Sequence, residues 1–230
     1  MDFFILILGL IAGGFANTYI YFYQIHHNKS SPGTSSLFKG KCRKLSKGLG
    51  QIVLIELICA TLYLMAFCKF GLTFKFLSSI ILLTVLVIAA FIDMEFQIIP
   101  DNIVLPAATA GILLYAFLGK EIFLYHLAGF AVGFGIIFLI AFFAKGGMGG
   151  GDVKLFGMVG LFLGARLTIL ALILSFILGS VISLILILLK IKSMKDVIPF
   201  GPFIALASAI SLFFGDKIIL WFVLNKIFNL

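Results

Sequence analysis

The sequence predicts an all-α fold, a polytopic bundle of about eight transmembrane helices. Three observations predict it. Of the 230 residues, 63% are hydrophobic and only 11% charged, far too apolar for a soluble domain of this length. Apolar stretches of roughly 20 residues, the length needed to span a bilayer, recur along the whole chain. In lipid every peptide group must be satisfied internally, which leaves helices and closed barrels, and the alternating short segments of a barrel are missing.

The spans are expected at 3–23, 50–68, 75–93, 102–118, 122–144, 153–164, 167–190 and 199–214, with a further apolar tail to 230. The first, Asp2 to Tyr23, begins with an acid, lacks a basic n-region and meets no clear cleavage site, so it reads as a retained span. Residues 24–49 read as a polar loop, flexible through Asn28-Lys-Ser-Ser-Pro-Gly-Thr-Ser-Ser36 and without apolar periodicity until about Leu45. His26 and His27 are adjacent and share no helix face, which argues against a metal site. Cys42, Cys59 and Cys68 form no CxxC pair, so neither zinc nor a disulfide framework is expected.

The net charge of +8 is topogenic in its distribution. Eleven basic residues fall on one side by helix parity: Lys29, Lys39, Lys41, Arg43, Lys44, Lys47, Lys145, Lys154, Lys190, Lys192 and Lys195. The opposite connections hold Lys69, Lys75, Lys120, Arg166 and Lys217. The positive-inside rule makes the first group cytoplasmic, facing anionic lipid, and no nucleic-acid partner is implied.

Within the spans the acids stand out. Glu56 interrupts the run Ile52-Val-Leu-Ile-Glu-Leu-Ile-Cys59 and is expected to make an interhelical hydrogen bond or to support a site. Asp93 ends the third span, where the helix dipole disfavours an anion and nothing needs capping. Pro100 stops any continuing helix, and Asp101 then suits the N-cap of the next. Glu95 lies between them, and it and Asp101 either attract a basic segment of a substrate or simply face water. His126, near the start of the fifth span, reads as a polar interface residue.

Two spans after Asp93 the chain returns to the same side at Gly146-Gly-Met-Gly-Gly-Gly-Asp-Val-Lys154. Asp152 is placed to cap a helix starting at Val153, but capping alone does not require five glycines. The backbone at Gly149, Gly150 and Gly151 is bare enough to approach an extended peptide or to direct N–H groups at an oxyanion. Lys154 is available to a nearby carboxylate or a lipid phosphate. The span that follows holds about 12 residues, or roughly 18 Å, short of the ~30 Å hydrocarbon core. Gly164-Ala-Arg166 then interrupts the run. Two isolated carboxylates on one membrane side are the equipment of an aspartyl protease. A proton-coupled transporter or channel also uses intramembrane acids and glycine-broken helices, and stays open as the alternative.

Three motifs carry a resemblance. Phe91-Ile-Asp-Met-Glu-Phe-Gln-Ile-Ile-Pro-Asp101 resembles the first aspartate motif of bacterial type IV prepilin peptidases. Gly149-Gly-Gly-Asp152-Val-Lys154 is similar to their second, the Gly-x-Gly-Asp signature shared with presenilin-like intramembrane proteases. Ile198-Pro-Phe-Gly-Pro-Phe203 resembles their C-terminal motif. The resemblance implies cleavage of a short basic leader from prepilins or pseudopilins at the cytoplasmic face of the inner membrane. The family's catalytic aspartates fall on Asp93 and Asp152, with no metal and no cofactor for the peptidase step. It also divides the chain into an N-terminal region at 1–70 and a peptidase core at 71–230. In the first region Gly13, Phe15, Asn17 and Glu56 match the family pattern. Many members carry a longer loop there with two CxxC pairs and methylate the new N-terminus with S-adenosylmethionine. Here the loop is short and holds only Cys42, so S-adenosylmethionine is expected only if that second activity is retained.

Overall fold

The computed structural model describes the backbone at residues 2–28, 40–143, 148–193 and 196–228, and the side chains there except at 26–28, 40–49 and 226–228. Eight α-helices and no strand occur among the described residues. They are α1 (Asp2–Asn28), α2 (Gly40–Phe70), α3 (Phe74–Phe96), α4 (Asp101–Ala116), α5 (Lys120–Phe143), α6 (Gly150–Leu163), α7 (Ala165–Leu188) and α8 (Gly201–Phe228). Six contain a stretch long and apolar enough to cross a membrane; α4 and α6 are shorter. This is a multi-pass helical membrane protein.

The chain forms two compact units, residues 1–76 and 77–230. In the first, α1 and α2 pack antiparallel. Their contacts advance in steps of four: Gly9 lies against Ala60, Gly13 against Glu56, and Asn17 donates to the Ile52 carbonyl at 3.0 Å. A Cβ at Gly9 or Gly13 would lie 2.6 Å from the Cα of Ala60 or Glu56. Small residues at i and i+4 let the two backbones meet, the usual solution where lipid removes the hydrophobic drive between helices. The interhelical hydrogen bond expected of Glu56 is thus made by Asn17.

In the second unit α6 is the central helix. Every residue from Asp152 to Leu163 is buried except Lys154. A helix apolar all round belongs inside a bundle, and a helix sheathed by protein need not match the thickness of the bilayer. Helix α5 runs antiparallel along it, with Tyr125 against Gly164, Gly129 against Gly160 and Gly133 against Phe156, again in steps of four. His126 donates from Nδ1 to the Leu161 carbonyl at 2.8 Å and stacks on Tyr115 of α4, as expected of an interface residue. Gly164 has φ +76°, a left-handed turn that joins α6 to α7 with no connecting loop.

Several boundaries differ from the sequence reading. Helix α1 continues through Gln24 to Asn28, and α2 already starts at Gly40. Apolar periodicity does not register a helix that leaves the membrane, and Lys41, Arg43, Lys44, Leu45 and Lys47 are good helix formers. The rest of the proposed loop, 29–39, lies outside the described residues, as do the side chains of His26, His27 and Cys42, and residues Lys145, Gly146, Gly147 and Lys195. The eighth span and the apolar tail are one helix: Gly215 does not break α8, because it packs where a Cβ would sit 2.6 Å from the Leu167 side chain of α7.

Candidate active site

Four chain segments converge at one end of the second unit: the end of α3 with the turn after it, the start of α4, the start of α6 and the start of α8. Asp93 lies in the last turn of α3 and is 5% exposed; Asp152 lies in the first turn of α6 and is 9% exposed. They are the only two charged residues buried among those described. Asp93 lies within electrostatic range of Asp152.

Asp152 is not the N-cap. Helix α6 begins three residues earlier than expected, so Asp152 occupies the third helical position and Gly149 the cap. From there its Oδ2 accepts a hydrogen bond from the Gly149 N–H at 3.2 Å, the carboxylate arm of a capping box. The bare backbone of Gly149 and Gly150 permits this start, and Gly151 packs on the buried Ile99 of the α3–α4 turn. A Cβ at Gly151 would lie 2.9 Å from Ile99 Cβ, whereas one at Gly150 meets open space.

Asp101 is likewise not an N-cap. Pro100 takes that position in an extended conformation, with its carbonyl accepting from Ile103 and Val104, and no side chain caps α4. The Asp101 carboxylate instead meets Lys154 Nζ at 2.6 Å. A charged partner outcompetes a backbone N–H for a carboxylate, and this pair ties the start of α4 to the start of α6.

The remaining predicted residues are placed as follows. Glu95 is exposed on the last turn of α3, two residues from Asp93. Glu56 belongs to the other compact unit, on the face of α2 that meets Gly13, and lines a cleft of about 540 Å³ with Asn17, Thr18, Gln24 and Gln51.

Two residues at the site were given no role by the sequence reading. The Gly201 N–H, at the first position of α8, donates to Asp93 Oδ2 at 2.7 Å. Gln97, with φ 56°, closes the end of α3 and sends its side-chain amide to the Val197 carbonyl at 3.2 Å. Gly201-Pro202 opening an apolar helix was the available signal, since a first-turn N–H has no partner within its own helix.

A profile of the Type IV leader peptidase family matches residues 80–184, a stretch that contains both aspartates. A prepilin leader peptidase/N-methyltransferase of Bacillus subtilis is 30% identical over 197 residues, covering 84% of this chain and 78% of the relative. The chain belongs to the type IV leader peptidase family. Proteins of the same description from Legionella pneumophila and Pseudomonas aeruginosa are 28% and 31% identical, over 67% and 64% of their own lengths. No solved structure matches the chain. As a member of this family the protein is an enzyme, a prepilin peptidase, and its place is in type IV prepilin processing. That decides against the transporter reading.

Proposed function

We propose that this peptidase is an aspartyl endopeptidase whose catalytic pair is Asp93 and Asp152, and that it removes the short basic leader of type IV prepilins or pseudopilins at the cytoplasmic face of the inner membrane. The observation that carries the reading is the convergence at one bundle end of two buried carboxyl groups, each held by a glycine N–H. Two adjacent carboxyls resist double ionisation and share one proton. The ionised one takes a proton from water, which attacks the scissile carbonyl; the protonated one donates to the carbonyl oxygen, and the roles then exchange. No covalent intermediate, metal or cofactor enters this step. Gly149, Gly150 and Gly151 give the substrate backbone close access. Lys154 holds Asp101, and the exposed Glu95 attracts the basic leader. The cytoplasmic orientation is supported by the basic residues concentrated in the connections on that side.

The test is incubation of the purified protein with a prepilin-like peptide, reading the products by mass. Cleavage after the basic leader by the wild type, and none by Asp93→Asn or Asp152→Asn, supports the reading; full activity of either variant sinks it. Methyl transfer is proposed to be weak or absent, on the short loop with Cys42 as its single cysteine. Labelled S-adenosylmethionine in the same incubation tests this, and stoichiometric label on the product N-terminus would overturn it while leaving the peptidase assignment intact.

A further inference from the structure

We propose that Gly201 and Gln97 are positioning residues, a two-point clamp between the ends of α3 and α8 that fixes the Asp93 carboxylate for catalysis. The inference rests on the dyad reading and adds to it the means by which one member is held.

Asp93 sits in the last turn of α3, where the helix dipole gives it no support. Support comes from the opposite pole of a second helix. First-turn N–H groups lack intrahelical partners, and at the start of α8 they are already apportioned. Pro202 has no N–H, and those of Phe203 and Ile204 turn back to the Phe200 carbonyl at 3.0 and 3.1 Å. The Gly201 N–H is directed at Asp93 Oδ2 at 2.7 Å, in a buried setting. Glycine is required there: a Cβ at position 201 would lie 2.8 Å from Asp93 Oδ2 and 2.9 Å from Asp93 Cβ. The contact therefore sets both the side-chain rotamer and which oxygen is occupied. Oδ2 is held by Gly201, which leaves Oδ1 as the oxygen assigned to proton transfer.

Gln97 secures the same two segments from the other side. Its N–H closes on the Asp93 carbonyl at 2.9 Å, and its backbone takes φ 56°, a conformation uncommon outside glycine. From this turn the side-chain amide reaches the Val197 carbonyl at 3.2 Å, four residues before Gly201. One link fixes the carboxylate and the other fixes the strand of chain that brings the donor to it. Without either, the start of α8 can withdraw from Asp93.

The experiment measures kcat and KM of the full-length protein on a prepilin-like peptide for the wild type, Asp93→Asn, Gly201→Ala, Gln97→Gly and, as a packing control, Gly135→Ala, whose Cβ meets open space. Gln97→Gly accommodates the positive φ of the turn and removes the side chain with its amide. A clamp predicts that Gly201→Ala, whose Cβ crowds Asp93, lowers kcat by about 10²-fold beside a fall in melting temperature, and that Gln97→Gly lowers kcat by about tenfold at an unchanged melting temperature, each with KM within about twofold. If Gly201→Ala fails to fold, Gln97→Gly decides. Activity in Asp93→Asn would remove the dyad and the clamp together. An inactive Asp93→Asn beside wild-type kcat in the foldable clamp variants would remove the clamp alone. A loss in Gln97→Gly confined to KM, or matched by a fall in melting temperature, would also overturn it.

Discussion

The Gly201 N–H and the Asp93 carboxylate, 108 residues apart in sequence, meet at 2.7 Å in the interior of the second unit. A helix start is thereby set against a helix end, with the acid at the junction. Asp152 is held differently, by the cap of its own helix, at 3.2 Å from the Gly149 N–H. One acid depends on tertiary packing for its orientation and the other on local structure.

Asp93→Asn and Asp152→Asn should each reduce cleavage by about 10²–10⁴-fold or more, the range for loss of a general acid or base. Helix content and melting temperature should stay near wild type. The double variant should be little worse than either single one, because the pair acts as a unit. Additive losses in kcat would argue against a shared proton.

Gly151→Val should destabilise the second unit by about 1–3 kcal/mol, the ordinary range for overpacking, and lower turnover with it. The cause is contact with Ile99, 2.9 Å from the position of the new Cβ. Gly164 is not a neutral comparison, since it has φ +76° and packs directly on Tyr125. Gly135→Val is the appropriate one, and equal effects at 135 and 151 would show that the glycines serve general packing.

The Lys154–Asp101 pair is 2.6 Å long but its side chains are 43% and 47% exposed. A double-mutant cycle on the purified protein should give a coupling of about 0.2–1 kcal/mol that shrinks with added salt. The charge-swapped pair Lys154→Asp with Asp101→Lys should recover most of the activity lost by either single change. Failure to recover would assign Lys154 a direct part in substrate binding.

His126→Phe should retain stacking on Tyr115 and lose the hydrogen bond to the Leu161 carbonyl. The expected cost is about 0.6 kcal/mol, and at most about 1.7, as for interhelical hydrogen bonds in other membrane bundles. Thermal unfolding in detergent measures it, and kcat should be unaffected because the contact lies along α5 and α6, away from the aspartates. A kcat effect without a stability effect would contradict this assignment.

The membrane class, the helical architecture and the exceptional placement of two acids among apolar helices were legible in the sequence because each follows from local chemistry. A long apolar run must be helical in lipid, and a lone acid among such runs costs too much to be incidental. The glycine-rich approach to Asp152 was visible for the same reason. Its capping geometry was not: Gly150 and Gly151, residues that disfavour helix, start α6 because Ile99 and the cap hold them there. Asp101 was read as a cap because the pattern of acid before helix is local, while its actual partner, Lys154, is 53 residues away. Gly201 and Gln97 stayed silent for a stricter reason. Their contribution is a backbone N–H and a side-chain amide, groups found on every residue but proline or on any glutamine. Only the packing of the end of α3 against the start of α8 decides which of them faces a carboxylate.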